Sequence, residues 1–347
     1  MKQINPSEPP APSVLEDTPC LLCGTTNSVV YFKAYDRIFG GGTYSYMKCG
    51  NCGLVYQNPR IKGEYIGEFY PKNSYTWKEA PDEKRLIPKL INRLERFYIF
   101  SLFRKEKRYI DNFCREQGIK PKKVLDLGCS TGERLFLFKL DGCETVGVEM
   151  SEDSRQAEKT YGIKIINSTI EDFLREKGER FDIITTYHII EHFPGPVNIL
   201  RQVGEFLNDD GLLVLEIPNV DSFEFKLFGE RCYFLEAPRH YTQFTPAALK
   251  TFLEKSGFNL VAWHTRKPFF NPSPMILNIF PFLETRRMRI NELDGKDFSF
   301  FKRLFLAIGV FGLAPFAYLA GMAGKGTSIT AFAKKQTAFG PGDSRKK

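Results

Sequence analysis

The chain has 347 residues, 42% of them hydrophobic and 26% charged, with a net charge of +8. That balance excludes a disordered or collagen-like polymer and leaves room for about two folded domains. The charge excess is local: residues 84–123 hold thirteen Lys/Arg against four Asp/Glu, so a nucleic-acid surface spread over the chain is not expected.

The first nineteen residues, MKQINPSEPPAPSVLEDTP, are polar and proline-rich and lack the apolar centre of a secretory signal. They read as a disordered lead-in, 1–19. Residues 20–60 carry Cys20-Leu-Leu-Cys23 and, after twenty-five residues, Cys49-Gly-Asn-Cys52. Two thiolates two residues apart can grip one zinc ion, and two such knuckles close a tetrahedral four-sulfur site. Gly24 and Gly53 each follow the second cysteine, where the turn around a metal needs a residue without Cβ. A closed site has no position for water, so this Zn2+ is expected to be structural, and the strand-like runs SVVYFKAY, TYSYMKC and GLVYQNP make a small ribbon around it. The segment is not basic, which argues against a nucleic-acid ribbon. Cys114, Cys129, Cys143 and Cys232 are scattered, suggesting a reducing cytoplasm rather than a disulfide framework.

Residues 61–121 form a linker followed by one or two amphipathic basic helices, with Leu86, Leu90, Leu94, Phe97, Leu102, Tyr109 and Phe113 at near-helical spacing. From 122 to 266 short apolar runs alternate with helical patterns. The runs KVLDLG, TVGVEM, KIINST, FDIITTY, LLVLEIP and NLVAWHT predict an α/β fold with a mostly parallel sheet between helices. Residues 267–326 are an apolar and basic insertion, 327–335 a last strand containing TSITAFA, and 336–347 a disordered basic tail.

One stretch concentrates the chemistry. VLDLGCSTGERLFLF, residues 124–138, reads as strand, tight turn and helix, and its Gly128-Cys129-Ser130-Thr131-Gly132 fits a serine-hydrolase elbow. Asp182 with His188 or His240 would supply the partners in the required order. The next strand favours another reading. It ends at Glu149, twenty-one residues past Gly128, where a carboxylate accepts from ribose hydroxyls. Asp126 at the first strand's tip would repel a pyrophosphate and suits a ligand with a positive group, such as an ammonium or a sulfonium.

With VLDLGCSTG, VGVEMS, Ser168-Thr-Ile-Glu171-Asp172, FDIITTYHIIEH and GLLVLEIPN, the chain resembles the class I S-adenosylmethionine-dependent methyltransferases. The resemblance implies a Rossmann-like seven-stranded sheet over residues 122–266 and 327–335. It also implies that Asp126 and the loop Gly128, Cys129, Ser130 and Gly132 hold the methionine part of the cofactor. Glu149, with Met150 beside it, would bind the ribose, Glu171 and Asp172 the adenine edge, and His188 would border the pocket. CxxCG…CxxCGLVYQNPR ahead of such a core resembles a bacterial subfamily of sugar, surface-polysaccharide and secondary-metabolite pathways, which implies a small or lipid-linked acceptor. Ser130 would then be a loop residue, and the rival readings are a non-catalytic cofactor-binding scaffold and the hydrolase.

His188-Ile-Ile-Glu191-His192 matches a zinc-hydrolase pattern, but Phe193-Pro194-Gly195-Pro196 cuts any helix short. In the resembling family this segment sits at the mouth of the pocket. His192 or His240, in Ala237-Pro-Arg-His-Tyr241, is the candidate base for an acceptor that must lose a proton. Residues 304–323, LFLAIGVFGLAPFAYLAGMA, carry no charge and are long enough to span a bilayer. The resemblance implies that the strands on either side pair in one sheet, which argues against a single crossing and favours a shallow hairpin or a lid. Arg286, Arg287, Arg289, Lys302 and Arg303 among phenylalanines, with the basic segment 84–117, point to peripheral contact with an anionic inner membrane face through 84–117 and 286–323.

Overall fold

The computed structural model describes residues 5–70, 86–151, 154–176, 178–265, 272–280, 309, 312–313, 315–316 and 318–336. The arginines and lysines at 286–303, most of 304–317 and the tail 337–347 lie outside the described residues. Among those described, no helix is long and apolar enough to cross a membrane.

The ribbon strands are β1 (Ser28–Tyr35), β2 (Thr43–Cys49) and β3 (Val55–Gln57). A long helix α1 (Leu86–Glu116) follows; the basic segment is one helix rather than two. The core then runs β4 (Lys123–Leu127), α2 (Glu133–Leu140), β5 (Glu144–Val148), α3 (Ser154–Tyr161), β6 (Lys164–Ile166), α4 (Ile170–Arg175), β7 (Phe181–Tyr187), α5 (Pro196–Glu205) and β8 (Leu207–Pro218). After α6 (Phe223–Phe228) come β9 (Thr242–Gln243), α7 (Pro246–Lys255), β10 (Phe258–His264), α8 (Pro272–Ile279) and β11 (Ser328–Lys335). The third core strand is shorter than KIINST suggests: Thr169 leaves the ladder to cap α4, its side chain accepting from Asp172 N.

The main sheet has seven strands in the order β10-β11-β8-β7-β4-β5-β6, with β11 antiparallel to both neighbours and the other pairs parallel. This is the seven-stranded, Rossmann-like arrangement expected from the sequence. Both faces are covered, so β4, β5, β7 and β8 are almost wholly buried and read as unbroken apolar runs. The order reverses where the chain leaves edge strand β6 and returns beside β4 as β7. A crevice therefore opens beyond the carboxyl ends of β4 and β7.

The ribbon is not a free module. β9, from the core, pairs with β3 and extends the ribbon into a four-stranded sheet, β9-β3-β2-β1. Cys20, Leu22, Cys49, Leu54 and Tyr56 share one apolar cluster with Leu125, Leu215 and Phe244. The expected disordered lead-in is ordered from residue 5 onward, because Leu15–Glu16 pairs with Arg60–Ile61 and Val14 packs into the ribbon's own cluster.

Candidate active site

Local sequence positions the four thiols. Cys20 N donates to Thr25 O and Gly24 N to Cys20 O; Cys49 N donates to Leu54 O and Gly53 N to Cys49 O, a matching pair of turns. Gly24 and Gly53 have φ of 72° and 71°, and a Cβ at either would meet nothing, so backbone conformation alone selects glycine there. Cys20 and Cys52 Sγ are 3.5 Å apart, as are Cys23 and Cys49, and all four lie within 4.8 Å of one another. Sulfurs at about 2.3 Å from a tetrahedral zinc would stand at such separations. Asn51 N and Cys52 N point at Cys49 Sγ at 3.4 and 3.5 Å, ready to share a thiolate's charge. The donor set fits zinc.

The crevice begins at Gly128. Its φ is 75°, and a Cβ there would come within 2.4 Å of Ile189 Cδ1, so the turn after β4 closes directly under the turn after β7. Ser130 is exposed with φ 48°, and its N–H donates to Glu149 Oε2 at 3.1 Å. Glu149 Oε1 accepts from Ser151 N at 3.0 Å, so its carboxylate is oriented at the end of β5 beside the loop. Asn167 Nδ2 donates to the carbonyls of Glu149, Met150 and Ser151, which pins that strand end, while the Met150 side chain stays exposed on the rim. Gly132, φ 76°, starts α2 and lies against Ile163 and Ala157.

Asp126 lies deeper than its sequence position suggests. It is buried within β4 and accepts from Thr185 Oγ1 at 2.6 Å across the β4–β7 pair. Burial pushes its carboxyl from 3.8 up to about 7, against the pull of Thr185 and of Arg134. A buried acid held this way gains most from a cationic neighbour. Arg134, in the first turn of α2, is gripped by Glu106 of α1 at 3.2 Å and lies over the rings of Phe103 and Tyr187, each 4.2 Å away. Neither Arg134 nor Glu106 carries a motif signal; only the docking of α1 brings them to the crevice.

Two expected contacts are corrected in detail. Cys129 offers only its backbone, because its Sγ is buried against Gly147, where a Cβ would approach to 2.4 Å. Asp172 is engaged within its own helix: Oδ2 accepts from Thr169 Oγ1 at 2.8 Å and Oδ1 from Arg175 at 2.7 Å. Glu171, its neighbour in the first turn of α4, is half-buried. The hydrolase reading is overturned by position. Asp182 accepts from the N–H groups of Lys122 and Lys123, at the end of the sheet opposite the Gly128 turn.

The histidines gather at the β7 side. His188 has φ 55°, and its ring lies between two buried carboxylates, with Nε2 2.8 Å from Glu216 Oε1 and Nδ1 3.3 Å from Glu191 Oε1. The segment after it forms only a short turn, Ile190–His192, as the following prolines require. His192 Nδ1 is 2.8 Å from Tyr70 Oη and 3.2 Å from Arg239 O, and its ring meets His240 edge-on at 4.5 Å. His240 is buried, its Nε2 4.0 Å from Glu191 and 3.9 Å from Glu236. The backbone around His240 is fixed from the ribbon side: Tyr46 Oη donates to His240 O, and Arg239 pairs with Asp36 in an ion pair with both side chains buried. Tyr70 is a site residue that no spacing rule singles out, whereas Glu191 stands inside the His188–His192 pattern.

Residues 100–262 match the family described as a methyltransferase domain. The ubiquinone biosynthesis O-methyltransferase of Glaesserella parasuis is 30% identical over 162 residues, covering 44% of this chain and 63% of that protein. The same-named protein of Vibrio vulnificus is 25% identical over 123 residues, covering 33% and 52%. The chain thus spans between about half and just under two thirds of the length of these curated relatives. Among solved structures, a SAM-dependent methyltransferase from Archaeoglobus fulgidus aligns with a TM-score of 0.43 and 22% identity over 67% of this chain and 92% of that one. Coclaurine N-methyltransferase bound to N-methylheliamine and SAH aligns with a TM-score of 0.45 and 18% identity over 66% and 70%.

Proposed function

We propose that this chain, whose residues 100–262 match a methyltransferase domain, transfers a methyl group from S-adenosylmethionine to a small acceptor. The observation that carries the reading is the crevice at the strand-order reversal, where a glycine turn, an oriented Glu149 and a buried Asp126 converge. When bound, the cofactor supplies an electrophilic methyl on a cationic sulfur. The Gly128–Gly132 turn and Asp126 would hold its charged methionine end. Glu149, its oxygens already aligned by Ser130 N and Ser151 N, would accept from the ribose hydroxyls. Met150, His188, Glu171 and Asp172 would border the ribose and adenine; Asp172 would have to trade its contact with Arg175 to take part.

The acceptor's proton is removed at the His192–His240 cluster, which Glu191, Tyr70 and Glu236 surround. The four thiols would hold a structural zinc, which would fix the ribbon against this cluster. Names of the curated relatives favour an oxygen acceptor, and the paired CxxC motifs favour a sugar, surface-polysaccharide or secondary-metabolite substrate, free or lipid-linked. Eight cysteines, none paired in a disulfide, suit a reducing cytoplasmic setting. Exposed Leu227, Tyr318, Leu319 and Met322, with Phe223 meeting Phe316 edge-on at 5.0 Å, provide an apolar surface for peripheral contact with lipid or for a lipid-linked acceptor. Calorimetric titration with S-adenosylhomocysteine tests the assignment. Saturable one-to-one binding supports it, and no binding refutes it. With an accepted substrate in hand, a His240→Ala variant that keeps full turnover would remove His240 from the reaction.

A further inference from the structure

The chain between β10 and β11 leaves and returns at one point. Thr265 Oγ1 donates to Gly321 O at 3.0 Å and accepts from Gly326 N at 3.2 Å, and Asn219 Nδ2 donates to Gly326 O at 2.8 Å. A Cβ on Gly326 would come within 2.1 Å of Thr265 O, so the two limbs meet there backbone to backbone. Beyond this root, α8 packs Ile276 and Leu277 into a small cluster with Tyr233 and Leu313, separate from the main core. One buried side chain fastens it. Asn278 Oδ1 accepts from Tyr233 N at 2.6 Å and from Arg37 Nη1 at 3.4 Å, and its Nδ2 donates to Glu224 Oε2 at 3.2 Å. Arg37 also donates to Leu277 O at 2.7 Å, placing a cation on a carbonyl that the end of the helix leaves open. The ribbon, the turn Tyr233–Leu235 and α6 therefore converge on the last turn of α8.

We propose that this convergence is a latch: proton loss from Glu224 releases α8 from α6 and the ribbon, while the root at Thr265 and Gly326 stays closed. Glu224 lies buried in the first turn of α6. Burial pushes its carboxyl from 4.5 up to about 8, with no cation among the described residues pulling it back. Of the groups around it, Arg37 reaches Asn278 rather than the carboxyl, and burial pushes the Cys232 thiol up, so that thiol stays neutral. Lys226 of α6 is turned to Asp221 at the surface. The carboxylate that forms lacks hydration in place and gains it by leaving, its proton passing to water. Because the folded pKa is the higher one, docking is fully supported below about pH 4.5 and loses that support as pH rises to about 8. α8 packs on Tyr233, just ahead of the Glu236–His240 segment. Resting on the methyl-transfer reading, release opens the acceptor side of the crevice.

The test is hydrogen exchange of the full chain, parent against Glu224→Gln, between about pH 5 and pH 9. Glutamine still accepts from Asn278 and has no proton to lose, and the intrinsic exchange rate cancels in the parent-to-variant ratio. In peptides covering α8 that ratio should climb by up to about tenfold per pH unit and level off above about pH 8. Arg37→Ala should speed exchange in α8 at every pH and leave the trend intact. If Glu224→Gln does not fold, the same trend is read as the rate in α8 relative to β8, in the parent and in Arg37→Ala. A flat ratio overturns the proposal. So does a ratio that climbs equally in β4 and β8, since Glu224 would then act on the stability of the whole chain. None of these readings uses the cofactor. Failure to bind S-adenosylhomocysteine sinks the methyltransferase and leaves the latch, and a flat ratio with binding does the reverse.

Discussion

On the methyl-transfer reading, Asp126 should make cofactor binding depend on pH. Burial raises its carboxyl from 3.8 to about 7, so its folded pKa lies above its unfolded one. The folded chain therefore binds more protons: this residue's contribution is most favourable below about pH 4 and is lost as pH rises to about 7. That interval corresponds to roughly 4 kcal/mol. A ligand bearing an ammonium restores what ionisation costs, and so draws the proton off. Affinity for S-adenosylhomocysteine should weaken by up to about tenfold per pH unit on acidification below pH 7. Calorimetry in two buffers of different ionisation enthalpy should register proton release near pH 6.5. Asp126→Asn should abolish both effects; a pH-independent affinity in the parent chain would exclude this role. At Gly128 the constraint is steric. Gly128→Ala would place Cβ 2.4 Å from Ile189 Cδ1 at a φ of 75°. The expected loss is about 1–3 kcal/mol of stability together with cofactor affinity. Adding Ile189→Ala should recover part of the stability, read by denaturant melts.

Among the elements, α1 closes the crevice from the side. Its contact is polar at one point: Glu106 holds Arg134, whose guanidinium is sandwiched between Phe103 of α1 and Tyr187 at the end of β7. Nearby, Lys107 bonds both Asp111 and Asp141, tying the same helix to the end of α2. Removing Arg134 leaves Glu106 largely buried without its partner. Arg134→Ala should cost about 1–3 kcal/mol, the usual effect of orphaning a charged hydrogen-bonded group. The damage should be regional. Hydrogen exchange should accelerate in the 100–116 segment before it changes in β4 or β7, and uniform acceleration would mean α1 is not an independently docked element.

At the scale of the whole molecule the ribbon and the α/β core behave as one body. They share the β3–β9 pairing, an apolar cluster and the buried Arg239–Asp36 ion pair. Burial pushes the Asp36 carboxyl up even with the guanidinium beside it. Arg239→Ala leaves that acid uncompensated and should cost about 3–5 kcal/mol, whereas a surface pair such as Arg180–Asp209 contributes about 0–1 kcal/mol. Stripping the metal with a chelator, or replacing Cys20 with Ser, should lower the melting temperature of the entire chain in one transition. Two separate transitions, with the core unchanged, would show instead that the ribbon is an appendage. Flotation with anionic liposomes tests the exposed apolar surface around Leu319 and Met322; a protein that stays at the bottom of the gradient excludes that contact.

The sequence by itself determined the parts whose signal is local. Thiol spacing and the two glycines specify the metal knuckles, because the chelate ring spans only a few bonds. Runs of buried residues specify the parallel strands, and VLDLGCSTG with an acid twenty-one residues on specifies the glycine turn and the carboxylate beside it, because strand, turn and helix are consecutive there. Ser130 is a fair example: a nucleophile elbow and a cofactor turn look alike within the loop, Glu149 on the next strand favours the second, and the location of Asp182 at the far end of the sheet removes the first. Other features required the tertiary structure, since they join residues with no sequence relation. Tyr70 reaches His192 across 122 positions, Arg239 meets Asp36 across 203, and Thr185 bonds Asp126 across 59. The same holds for the burial of Asp126, since a strand-tip acid is exposed or enclosed according to what its neighbours in the sheet cover. Contacts across the sheet are set by strand order, which no window along the chain contains, and here strand order assembles the Glu191–His192–His240 cluster.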